Sequence, residues 1–203
     1  MDLGGKLMLK HVTRSFLMMA VMTVLTGLAY PLVMTGLAEG LVPFQAHGSL
    51  VRAGGRVIGS DLIEQPFSSP KYFYGRPSAT TPPDNAAGSG GSNLGPTSRT
   101  LALRVRLAAA KLARQNPGKL VPVDLVTTSG SGVDPDITPA GALFQVPRVA
   151  AARGLPVPVV RALVMSHISA PVLGLIGEPH VNVLKLNLSL DRVATLHQFT
   201  MMR

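Results

Sequence analysis

Between Arg14 and Glu39 the chain carries no charge for 24 residues, SFLMMAVMTVLTGLAYPLVMTGLA (15–38), and nothing else in the sequence constrains the fold as strongly. As a helix rising about 1.5 Å per residue, such a run reaches about 36 Å, enough to cross a hydrocarbon core about 30 Å thick with some tilt. It reads as one N-terminal transmembrane helix. Lys6, Lys10 and Arg14 precede it, whereas no basic residue follows Glu39 until Arg52. By the positive-inside rule residues 1–14 are cytoplasmic and residues 42–203 form an extracytoplasmic domain. The competing reading is a cleaved signal peptide, since Gly27-Leu28-Ala29 and Gly36-Leu37-Ala38 offer small residues where a signal peptidase cuts. The length of the apolar run favours the anchor, and both readings export the domain.

Thr23, Gly27, Pro31 and Thr35 recur at four-residue steps within the span, with Gly36 alongside. A row of small side chains lets a second helix approach closely, so these four residues are expected to pack against a partner helix. Pro31 lacks an N–H, which frees the carbonyl of Gly27 and is expected to bend the helix.

Beyond the membrane the pattern is mixed α+β, with strand and helix signals alternating. SLVRAGGRVIGS (49–60) places Gly54-Gly55 between two short apolar runs, the signature of a tight hairpin. TSRTLALRVRLAAAKLARQN (97–116) opens on a Thr or Ser cap, repeats Leu101, Val105, Ala108 and Leu112, and stops before Pro117. It is expected to be an amphipathic helix. VPVDLVT (121–127) reads as a strand, Thr138-Pro139 opens a helix that Gly154 closes, and a third helix covers about Val157 to His167. VNVLKLNLSLD (181–191) alternates Leu184, Leu186, Leu188 and Leu190 with Lys185, Asn187 and Ser189, the period of a half-buried strand.

The formal charge of +9 raises nucleic-acid binding as a function class. The absence of tryptophan, only 4% aromatic residues and the lack of zinc-finger or RNP-like spacing argue against it. With no cysteine, disulfides, thiolate metal sites and a cysteine nucleophile are excluded. The five histidines, at positions 11, 47, 167, 180 and 197, never fall at helical ligand spacing, so no metal site is expected. Ser131 has Ser129 rather than glycine two positions before it and fails the nucleophile-elbow pattern, although an extracytoplasmic hydrolase using Ser129 or Ser131 stays open as an alternative. Asp134 and Asp136 read as turn or capping residues ahead of a cation site. Arg99, Arg104, Arg106, Lys111 and Arg114 form a basic helix without an acid, a solvated face or a docking surface for an anionic ligand.

DNAAGSGGSNLGPTS (84–98) holds four glycines and three serines in an otherwise apolar chain. Gly90 to Thr97 approximates a P-loop, but Pro96 stands where the lysine belongs and supplies neither an N–H nor a cation. Gly88, Ser89, Gly90, Gly91, Ser92 and Asn93 are the candidate site residues. They are expected to make a folded contact loop, ahead of a flexible linker or a nucleotide site.

Taken in order, several motifs resemble one family. They are TGLAYPLVMTGLA, GSLV with GGRVIGSDLI, FYGRPSAT with NAAGSGGSNLGP, PVDLVTTSGSGVDPDITPAGALFQVPRVAAARGL, and GEPHVNVLKLNLSLD. Together, from about Leu25 to Asp191, they are similar to the C subunit of the bacterial Kdp potassium-transporting ATPase. The resemblance implies an accessory subunit of an inner-membrane complex that imports potassium at the expense of ATP. The implied partners are a P-type ATPase catalytic subunit, a channel-like potassium-translocating subunit and a small membrane subunit. It also implies a role proposed for the family, a catalytic chaperone that raises the ATP affinity of the hydrolysing subunit through the glycine- and serine-rich loop. ATP enters by resemblance alone, and it conflicts with the outward placement of residues 42–203. Structural coupling, with the domain holding the complex together and covering the potassium entrance, fits both the topology and the family.

Overall fold

In the computed structural model, which describes residues 3–171 and 173–201, the uncharged run is helical throughout. Helix α1 (Leu3–Val24) passes through a π turn (Leu25–Ala29) into α2 (Tyr30–Leu41). Among the described residues this is the one helix long and apolar enough to cross a membrane. The irregularity expected at Pro31 takes the form of a wide turn just upstream, where the Tyr30 N–H donates to the Leu25 carbonyl. A wide turn advances the helical register by about one residue. Thr23 precedes it and Gly27 lies within it, with the Gly27 Cβ position 4.0 Å from Thr23 Cγ2, and Pro31 and Thr35 belong to the register after it. A short helix, α3 (Pro43–Ala46), follows.

The chain divides into two compact units, Met1–Leu50 and Val51–Arg203. Strands β1 (Leu50–Ala53) and β2 (Arg56–Ser60) pair as the expected hairpin. Gly54 and Gly55 turn it at φ +56° and +79°, a conformation that excludes most side chains. From Asp61 to Ser98 the only helical element is a 3₁₀ turn at Ala86–Gly88. Ser98 then caps α4 (Arg99–Ala113) by accepting the Leu101 N–H, and no residue of α4 is fully buried.

The core of the second unit lies between α5 (Pro139–Arg153), α6 (Val157–Ser166), α7 (Val183–Met201) and a three-stranded antiparallel sheet. Its strands β3 (Asp136–Ile137), β4 (Ile168–Ser169) and β5 (His180–Asn182) lie in the order β3-β5-β4, with Val181 opposite both Ile137 and Ile168. Phe73, Val146, Val149, Val160, Val164, Leu186 and Leu190 fill the space between helices and sheet. Helix α5 starts and stops where the sequence indicates. Thr138 Oγ1 accepts the Gly141 N–H, and Gly154 takes a left-handed conformation while the Leu155 N–H reaches back to the Ala150 carbonyl.

Two strand expectations fail. VNVLKLNLSLD is strand only through Asn182 and helix from Val183, and the side chains its helical part buries most are Val183, Leu186, Asn187 and Leu190. Steps of three and four are helical, and the alternating leucines satisfy that period as well as period two. VPVDLVT forms a 3₁₀ turn at Val123–Leu125, because Asp124 turns inward to accept the N–H and the hydroxyl of Thr138 at 2.8 and 3.0 Å. That carboxylate serves the entry of α5, which a flat strand would not allow.

Two helices then grip one extended segment. Asn187 on α7 accepts the Phe73 N–H at 2.8 Å and donates to the Phe73 carbonyl at 2.9 Å. Gln145 on α5 does the same for Tyr74, at 2.8 and 2.9 Å. Arg148 lies 4.0 Å above the Tyr74 ring and donates to the Pro70 carbonyl, while Arg153 covers Tyr72 and pairs with Asp191. Each amide satisfies a buried peptide at both ends, as a neighbouring strand would. The grip fixes the position of Gly75 and Arg76, which follow at once.

Candidate functional site

The glycine- and serine-rich loop is braced against the SGSG turn at 129–132. The Gly90 N–H donates to the Ser131 carbonyl at 2.7 Å, and the Ser89 hydroxyl donates to the same oxygen at 2.9 Å. Gly91 lies so close to Gly130 that a Cβ would sit 2.9 Å from the Gly130 carbonyl oxygen, and a Cβ on Gly132 would sit 2.6 Å from the Gly90 carbonyl oxygen. The two backbones meet where only glycine fits. Upstream, Ser78 Oγ donates to the Gly132 carbonyl at 2.6 Å and accepts the N–H groups of Thr80 and Asp84, while Thr80 Oγ1 accepts the Asn85 N–H. Asn85 caps the 3₁₀ turn through Ala87, which carries the chain into Gly88. Of the six candidate residues, Gly88, Ser89, Gly90 and Asn93 are exposed, and Gly91 and Ser92 are half-buried.

A nucleotide fits this geometry poorly. A phosphate cradle needs free N–H groups and a cation. Here the Gly90 N–H and the Ser89 hydroxyl are both spent on Ser131, and the loop from 85 to 98 contains no lysine or arginine.

The serines weighed as nucleophiles act as turn acceptors, Ser129 Oγ for the Gly132 N–H and Ser131 Oγ for the Val133 N–H. Among the described residues no histidine bonds to either. His167 instead spans the Leu163 carbonyl and Ser189 Oγ, His180 holds the Glu178 carbonyl, and the His197 side chain lies outside the described set. No group of three or more metal-ligating side chains converges among the described residues. Asp134 forms a turn with the Asp136 N–H and an ion pair with Arg76 at 3.4 Å, and Asp136 accepts from Asn182.

The family model for KdpC, the c chain of the K+-transporting ATPase, matches residues 12–192. The chain belongs to the KdpC family. It is 57% identical to the potassium-transporting ATPase KdpC subunit of Rhodopseudomonas palustris (strain ATCC BAA-98 / CGA009), in an alignment covering 92% of this chain and 99% of the relative. KdpC subunits of Methylobacterium nodulans and Bradyrhizobium diazoefficiens are 56% and 55% identical over the same shares.

In this KdpC-family chain the braced loop borders a second feature that local sequence does not announce. Glu64, only 6% exposed, donates its backbone N–H to the Val133 carbonyl and turns its carboxyl against Gly75, where any Cβ would overlap Oε1. Burial pushes its pKa up to about 8, with Asp84 and Asp134 adding to the rise and Arg76 opposing it. The pKa of Asp84 is also raised, by its own burial, against a hydrogen bond from Ser78. Arg76 donates to Asp134 and to the Thr128 carbonyl, tying the FYGRP segment to the turn that holds the loop. Sequence reasoning missed Glu64, Arg76, Gln145 and Asn187. The one signal among them was an amide placed inside otherwise apolar runs, at Gln145 and Asn187.

Proposed function

We propose that this chain acts as the accessory, non-hydrolytic subunit of a high-affinity potassium importer, coupling its subunits structurally from the periplasmic side. Residues 15–38 anchor it in the bacterial inner membrane, with residues 1–14 cytoplasmic and residues 42–203 periplasmic. The catalytic P-type subunit, the channel-like subunit and the small membrane subunit are its partners. Gly88, Ser89, Gly90, Gly91, Ser92 and Asn93 form a contact loop for them, and Thr23, Gly27, Pro31 and Thr35 serve membrane packing.

Family membership over residues 12–192 carries this reading. The charge asymmetry of Lys6, Lys10 and Arg14 supports the orientation. Support for docking comes from Leu173 and Leu175, 88% and 87% exposed between β4 and β5, since aliphatic side chains thrust into water in this way mark contact surfaces. The braced loop and the spent serines favour coupling over ATP sensing or hydrolysis.

Purification in mild detergent is the first test: a subunit elutes with stoichiometric partners, and a solitary chain refutes the reading. Protease added to spheroplasts should digest the chain beyond residue 42, whereas protection in sealed cells would reverse the orientation. A mature N-terminus at Tyr30 or Glu39 would replace the anchor with a signal peptide.

A further inference from the structure

A cleft of about 390 Å³ opens beside the braced loop, within the second unit, and two carboxyls that make no ion pair among the described residues, Glu64 and Asp84, face it. Glu64, Asp84 and Arg76, with Ser68 and Ser78, form its polar side, and Pro66, Phe67, Pro77 and Leu125 are among its apolar walls. Glu64 Oε2 is buried and has no hydrogen-bond partner. The fixed cation of the neighbourhood, Arg76, also lines the cleft; its terminal nitrogens go to Asp134 and to the Thr128 carbonyl, and its buried Nε has no hydrogen-bond partner. A carboxyl oxygen held nine-tenths out of water without a partner is costly, protonated or not, unless a ligand pairs with it. Glu64 cannot turn away, since the bare Cα of Gly75 is the space its carboxyl occupies.

We propose that this cleft receives one cationic side chain, a lysine or arginine presented by a partner subunit, with its methylene stem on Pro66, Phe67 and Leu125 and its charged head on Glu64 and Asp84. The proposal rests on the reading of the chain as a subunit. Apolar walls suit a hydrocarbon stem, and the two carboxyls suit a head group with several N–H donors. A bare metal ion would want six or more oxygens, and no three metal-ligating side chains converge among the described residues. The charged groups that act on Glu64 are Asp84, Asp134 and Arg76, while the Tyr74 hydroxyl donates to the Ser68 carbonyl. With its pKa near 8, Glu64 holds a proton at neutral pH, and an arriving cation displaces that proton to solvent.

The test uses the full chain, isotopically labelled, in detergent. Nα-acetyl-lysine methylamide and Nα-acetyl-arginine methylamide are titrated while amide resonances are followed, with the norleucine analogue as the uncharged control. At least one cationic probe should shift Glu64, Gly75 and Asp84 saturably, and norleucine should not. Glu64→Gln and Asp84→Asn should each weaken binding about tenfold, as for a lost charge-assisted contact, with thermal melts confirming that the variants fold. Affinity should rise by up to about 25-fold between pH 6.5 and 8.5, the limit for a cation that displaces the whole proton from a group with a pKa of about 8. Absence of saturation, equal shifts with norleucine, or indifference to both substitutions would overturn the proposal. So would the same saturating shifts with potassium chloride against choline chloride, which would make the ligand an ion. Co-purification of the wild-type chain keeps the two readings apart: partners recovered without probe binding removes only the cleft, and partners absent removes the subunit.

Discussion

Asn187 and Phe73, separated by 114 residues, are joined by two hydrogen bonds that leave neither end of the Phe73 peptide unpaired. Asn187 is 1% exposed and Phe73 is fully buried, so water cannot replace the amide. Asn187→Ala would strand one N–H and one carbonyl in the core, at about 1 to 3 kcal/mol each. Chemical denaturation should show a loss of about 3 kcal/mol. A loss under about 1 kcal/mol would mean that the clamp is not a principal restraint on the FYGRP segment.

That clamp also shows where the sequence stops being legible. The long apolar N-terminal helix, the Gly54-Gly55 hairpin and the start and stop of α5 were readable because each is fixed by chain neighbours: an uncharged run, a pair of glycines, Thr138-Pro139 and Gly154. The segment from Val183 to Leu190 was not, because leucines at every second position serve a strand face and a helix face alike. Only Asn187 decides between them, and its partner lies far away in sequence. Glu64 is similar: beside Gln65-Pro66 it reads as a solvated loop acid, and its burial is created by Gly75 and the turn at Val133.

The raised pKa of Glu64 makes a pH prediction with a definite sign. Below about 4.5 the carboxyl is protonated in both the folded and the unfolded chain and contributes no pH dependence. Between about 4.5 and about 8 the unfolded chain releases the proton while the folded chain keeps it, so stability falls as pH rises, by at most about 1.4 kcal/mol per unit. Above that window both forms are ionised and the loss is complete. Glu64→Gln should flatten this part of the profile, leaving the variant close to wild type near pH 4.5 and more stable at pH 8. Parallel melting-temperature profiles for the two proteins would show that Glu64 is ionised in the fold.

Neighbouring glycines in the loop should behave differently. Nothing lies within 4 Å of a Cβ at Gly90, whereas one at Gly91 would press on the Gly130 carbonyl oxygen. Gly91→Val should separate the loop from the SGSG turn, cost about 1 to 3 kcal/mol as an overpacked contact, and lower the potassium-stimulated ATPase activity of the assembled complex. Gly90→Ala should leave that activity near wild type. If both variants are silent, the loop is a spacer. Photolabelling of this chain by an ATP analogue, abolished by Gly91→Val, would restore the nucleotide reading.

In the membrane helix, side-chain volume should matter on one face more than on the others. Thr23, just before the π turn, and Gly27, within it, stand together, and the Thr23 hydroxyl is returned to the Met19 carbonyl at 2.8 Å, so this face offers a partner helix shape rather than hydrogen bonds. Gly27→Leu should insert normally, since leucine favours the hydrocarbon core, yet should hold the partner helix away. Val21→Leu, roughly 120° round the helix at about 100° per residue, adds volume on another face and should assemble as wild type. One helix contact is worth about 1 to 2 kcal/mol in model systems, so Gly27→Leu should appear as partial loss of partner subunits in detergent while the chain itself is still made. Equal recovery of partners with both variants would leave residues 15–38 as a plain anchor and assign cohesion of the complex to residues 42–203.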